Sequence, residues 1–344
     1  MPRTSNAAVA ISADSISADS IRALADPDLV PHLSGTLPPH LPAGTLTVNL
    51  VRSVDDQLQT GPVPLSASVE LIAGPDGGRL ALRRHEGGRH EGEGDGVIVW
   101  IHGGGLYLGR ADRDDPVCAA LAEEHRTTVV AVDYRLAPEH PYPAALEDCY
   151  AALTWCGQRY ERVIVVGESA GGGLAAALAL LARDRQGPNV TAQVLHYPML
   201  DDRGETISAR TLADAPVWNR SLNELGWQAY LAGQTADCYA APGRAGNLRG
   251  LPPTYLEVGA LDLFRDEVIA FGTALTAAGV PTELHVDAGT VHGFDRIAPD
   301  AAISRVARER RARFVRRHFT ADAHFTADAR LAADAAKQHT NGAQ

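Results

Sequence analysis

Apolar residues follow two rhythms along this chain, and the change falls near Val97. From there on, short and nearly continuous apolar runs recur: VIVWI (97–101), TVVAV (128–132), RVIVV (162–166), AQVLHY (192–197), TYLEV (254–258) and TELHV (282–286). Between them lie stretches at helical spacing, 116–125, 143–158, 170–185, 265–278 and 301–318. A strand that is apolar on both faces must be buried on both, and helices alternating with such strands supply the cover. The pattern predicts an α/β fold: a mostly parallel central sheet with helices on both faces.

Ahead of this region, SVELIAG (68–74) and RLALRR (79–84) read as strands joined at Pro75-Asp76-Gly77-Gly78, a hairpin-type turn. Residues 21–65 alternate helix-like apolar positions with proline-rich breaks such as LVPHLSGTLPPHLPAG. The first twenty residues carry a duplication of low hydrophobicity, ISADSISADS, which reads as disordered or as the fraying start of a helix. HEGGRHEGEGDG (85–96) reads as a solvated, glycine-rich loop. Its His85 and His90 have metal-ligand chemistry, but charge and glycine content favour the loop, so no metal is expected. A second break spans 201–250, where Trp218, Trp227 and Tyr230 lie on a helical pattern and suggest an insertion over one end of the sheet. The tail repeats HFTAD and AHFTAD and reads as loosely attached. The resulting division is an N-terminal segment 1–65, a catalytic domain of 66–200 and 251–318, an insertion 201–250 and a tail 319–344.

Composition narrows the chemistry. With 344 residues, 45% hydrophobic and 21% charged, the chain resembles an ordinary soluble globular protein. Its formal charge of −11 argues against nucleic acid as a partner. No apolar stretch is long enough to form an integral membrane segment, and the N-terminus has no signal-like apolar region. Cys118, Cys149, Cys156 and Cys238 show no CxxC pairing, as in a reduced cytoplasm. The only lysine is Lys337, so Schiff-base and Walker-type mechanisms lack their central residue.

Gly167-Glu168-Ser169-Ala170-Gly171 directly follows RVIVV and directly precedes an Ala/Leu-rich helical stretch. In that setting a G-x-S-x-G string places serine on a tight strand-to-helix turn, with Oγ lifted above the sheet. Gly167 and Gly171 remove the Cβ atoms that would collide there. The rival reading is a serine that merely caps the helix. His102-Gly103-Gly104-Gly105 follows VIVWI, and tandem glycines let backbone N–H groups converge on one point, as an oxyanion hole requires. A nucleophilic serine needs a base and an acid, and this arrangement supplies them later in the chain. His292 follows the last predicted strand, whereas His196 and His285 lie inside apolar runs; His196, at a strand end, is the reserve candidate. Asp262 lies just past TYLEV, while Asp266 and Glu267 fall on the next helix, so Asp262 leads as the acid. Asp266 suits the helix dipole.

These residues resemble the hormone-sensitive-lipase-like carboxylesterases of the α/β-hydrolase fold, in their bacterial branch. The likeness runs from about Val97 to Phe294: HGGG at 102–105, DYRLAPEHPYPAALED at 133–148, GESAGG at 167–172, DLFRDE at 262–267 and HGF at 292–294. The resemblance implies hydrolysis of short- to medium-chain acyl esters, a small-molecule ester substrate, no cofactor or metal, and a helical cap built from the N-terminus and the insertion. It also implies an oxyanion hole formed by the N–H groups of Gly104, Gly105 and Ala170, and a structural role for 133–139 beneath the site. Leu106 stands where the family usually has an aromatic, Glu168 where it more often has Asp, and Gly173 where Asn is common. A lactonase or amidase would use the same residues, and a catalytically silent receptor would share the scaffold. The oligomeric state is left open.

Overall fold

A computed structural model describes residues 15–33, 46–58, 67–88 and 96–320. Eight strands form one sheet: β1 (Ser68–Ala73), β2 (Arg79–Glu86), β3 (Gly96–Ile101), β4 (Thr128–Val132), β5 (Arg162–Glu168), β6 (Ala192–His196), β7 (Thr254–Gly259) and β8 (Thr282–Asp287). Their spatial order is β1-β2-β4-β3-β5-β6-β7-β8. β1 and β2 pair antiparallel at one edge, and every pair from β4 to β8 is parallel.

Helices occupy the segments between strands: α1 (Ala18–Leu24), α2 (Val48–Leu58), α3 (Asp115–His125), α4 (Ala144–Gly157), α5 (Ala170–Asp184), α6 (Ile207–Thr211), α7 (Arg220–Leu231), α8 (Arg265–Ala277), α9 (Phe294–Ile297) and α10 (Ala302–Thr320). The continuous apolar runs divide by pleat. Val97, Val99, Val163 and Val165 face α4, α5 and α8, while Ile98, Trp100, Ile164 and Val166 face α3 and α10. Each such Val or Ile, fully withdrawn from water, contributes about 1.5–3 kcal/mol of transfer free energy. Both sheet faces are thereby filled, which is why these strands carry no polar alternation.

The helices outside this rhythm lie over the ends of β3 and β5. α6 and α7 come from the insertion between β6 and β7, and Asn219 caps α7 by accepting the Leu222 N–H at 3.0 Å. Gly226 of α7 packs so closely that a Cβ there would lie 2.6 Å from the Gly105 carbonyl. Residues 15–33 join them: Ile16 N–H donates to the Thr211 carbonyl at 2.7 Å, and Asp26 N–H donates to Gly289 at 2.8 Å. Ile21, Val51, Trp218, Trp227 and Tyr230 all belong to the cluster that also contains Val99 and Val165.

Three expectations are refined. Of the first twenty residues, the described 15–20 follow the helix-start reading and not the disordered one, because Ser17 caps α1 and Ile21 is fully buried. His85 is not in a loop: it lies in β2, opposite Val129, with Nε2 buried 3.1 Å from Asp115 Oδ1. Alternation carries His85 inward beside Asp115, which also accepts from Arg83 at 2.8 Å. Trp218 precedes α7 rather than lying on it. His90 and the tail beyond Thr320 lie outside the described residues, whereas the first repeat begins within α10, where Phe319 packs against the core. Among the described residues, no helix is long and apolar enough to cross a membrane.

Candidate active site

Strand order reverses between β3 and β5, whose neighbours β4 and β6 lead away to opposite sides. The crevice left at such a reversal is where open parallel sheets gather ligands. β5 ends at Glu168 and α5 begins at Ala170, so Ser169 makes the whole turn. Its backbone lies at φ 54° and ψ −120°, a conformation costing a non-glycine residue on the order of 1–3 kcal/mol. Three backbone hydrogen bonds hold it there: Ser169 N–H to His196 O at 2.9 Å, and its carbonyl from Gly173 N–H at 3.0 Å and Met199 N–H at 2.9 Å. A Cβ on Gly167 would meet Gly171 O at 2.2 Å, and one on Gly171 would meet Ile101 O at 2.1 Å. Gly173 is likewise required, since its Cβ would lie 2.1 Å from Met199 O.

The Ser169 side chain makes no capping hydrogen bond, which removes the rival reading of this serine. Oγ instead lies 2.9 Å from His292 Nε2, and His292 Nδ1 lies 2.7 Å from Asp262 Oδ2. The carboxylate partner assigns the proton to Nδ1, leaving Nε2 to accept from the serine hydroxyl. Asp262 is fully buried, and its Oδ1 accepts the Phe264 N–H at 2.9 Å. Tyr197 and Phe264 present their rings edge-on to the imidazole, with centroids 4.9 and 5.3 Å away. The three residues singled out from the sequence are thus joined in one chain.

The glycine loop adjoins them. A Cβ on Gly103 would lie 3.3 Å from Ser169 Cβ, so this backbone passes directly over the elbow. Gly104 sits at φ 117°, which side-chain-bearing residues rarely adopt. His102 Nδ1 donates to Gly103 O at 2.8 Å, holding the carbonyl of the peptide unit that carries the Gly104 N–H. Tyr134 stacks on His102, 4.1 Å between centroids, and donates its hydroxyl to His102 O at 2.9 Å. Burial holds the His102 imidazole below its ordinary range. Among the described residues, the N–H groups of Gly104, Gly105 and Ala170 have no protein acceptor. Trp218 covers the loop, its Cη2 2.2 Å from where a Gly105 Cβ would be and its ring centroid 6.3 Å from His292.

The other candidates lie elsewhere. His196 pairs in register with Glu168, and its ring lies 6.0 Å from Trp100 on the α3–α10 face. His285 faces Arg310. Asp266 accepts the Ser208 N–H at 2.7 Å and pairs with Arg265 in the first turn of α8.

Sequence reasoning did not single out the ionic cluster behind the elbow. Arg296, four residues after His292, pairs with Asp114 at 2.5 Å and approaches Glu168 at 3.7 Å. Arg311 of α10 pairs with Asp295 and with Glu257 of β7, and Tyr197 donates its hydroxyl to Asp295 at 3.0 Å. The cluster therefore ties together the segments that carry serine, histidine and aspartate. Its one legible signal was Glu257, a charge within an apolar strand.

Burial raises the Glu168 carboxyl to about 7, against the lowering pull of Arg296. A carboxyl raised in the folded state binds its proton more tightly there than in the unfolded chain. The stability it contributes is full below the ordinary 4.5 and is lost as pH rises through about 7. In thermal melts from pH 5 to 8, wild-type Tm should therefore decline relative to that of Glu168→Gln. Parallel Tm curves would contradict this assignment.

Comparison with known proteins gives concordant matches. A family model described as alpha/beta hydrolase fold matches residues 98–296. Esterase LipI of Mycobacterium tuberculosis is 41% identical over 209 residues, a match covering 58% of this chain and 65% of LipI. Carboxylic ester hydrolase LipN of the same organism is 33% identical over 273 residues, covering 70% of this chain and 71% of LipN. Among solved structures, a bacterial heroin esterase superposes with a TM-score of 0.79 at 35% identity, covering 87% of this chain and 99% of that one.

Proposed function

The chain belongs to the α/β-hydrolase fold family, and from that premise we propose that it is a serine carboxylesterase acting on short- to medium-chain acyl esters. The observation that carries the reading is the hydrogen-bonded chain Ser169–His292–Asp262 beside a glycine loop with unclaimed N–H groups. In this mechanism His292 Nε2 takes the hydroxyl proton as Ser169 Oγ attacks the ester carbonyl. The N–H groups of Gly104, Gly105 and Ala170 receive the developing oxyanion. Asp262 stabilises the imidazolium, which returns its proton to the departing alkoxide oxygen. Water then attacks the acyl-enzyme by the same route, releasing the acid and restoring Ser169.

The insertion and N-terminal segment act as a cap in this reading. Their helices cover the triad and share its core cluster, so they exclude water and bound the acyl site. Each acyl methylene accommodated there adds up to about 0.8 kcal/mol until the space is filled, after which overpacking reverses the trend. With p-nitrophenyl esters from acetate to palmitate, kcat/KM is expected to peak between acetyl and octanoyl and to fall for longer chains. A maximum at palmitate would overturn the acyl-length assignment. Absence of turnover across esters, lactones and amides would overturn the enzymatic reading in favour of a silent receptor.

A further inference from the structure

Arg52 of α2 lies outside every motif that points to catalysis, yet its guanidinium ends on the oxyanion loop. Nε donates to the Tyr107 carbonyl at 2.9 Å and Nη2 to the Ala137 carbonyl at 2.9 Å. Nη1 and Nη2 also grip the two oxygens of Glu139 at 2.6 and 2.9 Å. We propose that Arg52 is a positioning residue of the oxyanion hole, aiming and polarising the Gly105 N–H through two intervening peptide units. The inference rests on the carboxylesterase reading and deepens it.

The path can be followed bond by bond. The Tyr107 carbonyl held by Arg52 belongs to the same peptide unit as the Leu108 N–H. That N–H donates to the Gly104 carbonyl at 2.7 Å, and the Tyr107 N–H donates to the same oxygen at 3.2 Å. The Gly104 carbonyl in turn shares its peptide unit with the Gly105 N–H, one of the proposed donors to the oxyanion. A cation therefore sits at one end of a chain of two aligned peptide dipoles, and the reacting oxygen would sit at the other. Successive hydrogen bonds in such a chain reinforce one another in a low-dielectric site. Each carbonyl pinned at one side of a planar peptide fixes the direction of the N–H on the other.

The loop needs such support. Gly104 at φ 117° and Leu106 at φ 71° leave the turn without regular secondary structure to brace it. Its only other backbone tie to the 133–139 stretch, among the described residues, is Ala137 N–H to Leu106 O at 3.0 Å. Arg52 adds a side-chain tie between the same two strips, alongside that of the Tyr134 hydroxyl to His102 O. α2 is itself anchored, because Val51 is fully buried and Arg113 reaches back to Asp55 and Asp56 at 2.6 Å each. Glu139 completes the clamp: its hydrogen bond with Arg52 lowers its carboxyl to about 2, so it remains ionised at neutral pH. The four acceptors match a planar fork, which lysine does not provide.

The test compares Arg52→Met, Arg52→Lys and Glu139→Gln with wild type, using p-nitrophenyl butyrate and a trifluoromethyl ketone that forms a tetrahedral adduct on serine. Removing a direct oxyanion donor costs about 100- to 1,000-fold in kcat, so loss of its support is expected to cost on the order of 10- to 100-fold. For Arg52→Met, kcat should fall by that factor, affinity for the ketone should fall in parallel, and KM should change little. Arg52→Lys should not restore kcat, and Glu139→Gln, which leaves both carbonyl contacts available, should cost less than Arg52→Met. A role confined to holding the cap would instead raise KM or shift the acyl-length optimum while leaving kcat and ketone affinity intact, and would overturn the proposal. Unchanged kinetics in Arg52→Met, or full recovery with lysine, would overturn it as well. Wild-type turnover keeps the two readings separate: its absence defeats the esterase reading, while its presence with insensitive Arg52 variants defeats only this one.

Discussion

Ser169→Ala is expected to lower kcat by about four to six orders of magnitude while leaving the fold intact, because the members of a triad act as one unit. The substitution removes only the hydroxyl. Alanine keeps the Cβ and therefore inherits the backbone conformation at φ 54° that the hydrogen bonds from Gly173 and Met199 enforce. No capping bond to α5 is lost, since Ser169 makes none with its side chain. The circular dichroism spectrum should match wild type, and stopped-flow traces with p-nitrophenyl butyrate should lose any burst of nitrophenol. Retention of more than about one-hundredth of wild-type kcat would mean that another nucleophile operates, because triad losses of this kind normally exceed 1,000-fold.

Asp262→Asn should cost on the order of 10⁴ in kcat, whereas Asp266→Asn should change it by only a few-fold. Asp262 is fully buried, and Oδ2 accepts the proton on His292 Nδ1. An asparagine presents either an N–H₂ group, which cannot accept, or a neutral carbonyl, which holds imidazolium poorly. With N–H₂ facing it, the imidazole moves its proton to Nε2, and the nitrogen facing Ser169 can no longer act as base. Asp266 lies near in sequence but serves other partners, the Ser208 N–H and Arg265. Steady-state kinetics of the two variants therefore separate them sharply. The reverse ranking would place the acid one helical turn further along.

What could be read from residues alone follows from how local each signal is. The parallel sheet was legible because full burial on both faces forces runs such as Val97 to Ile101, and the structure indeed distributes Val99 and Trp100 to opposite sides. The elbow was legible because close backbone approach at Gly167 and Gly171 tolerates no side chain. His85 was misread because its neighbours are loop-like, while its inward orientation depends on pairing with Val129, more than forty positions away. Arg52 and Arg296 carried no signal at all. An arginine in a polar stretch reads as surface until the fold delivers Tyr107, Ala137 or Asp114 to its guanidinium. Long-range charge pairing leaves no period in a sequence, whereas strands, helices and tight turns do.

Covalent labelling reports directly on whether Ser169 is the nucleophile of an ester hydrolase. Wild-type protein is treated with a p-nitrophenyl alkylphosphonate, nitrophenol release is counted against enzyme, and the modified peptide is located by tandem mass spectrometry. One adduct per chain is expected, carried by Ser169, with ester hydrolysis disappearing in proportion to its formation, and none in Ser169→Ala. An adduct on Ser208 or Ser221, or hydrolysis that persists once Ser169 is fully modified, would contradict it.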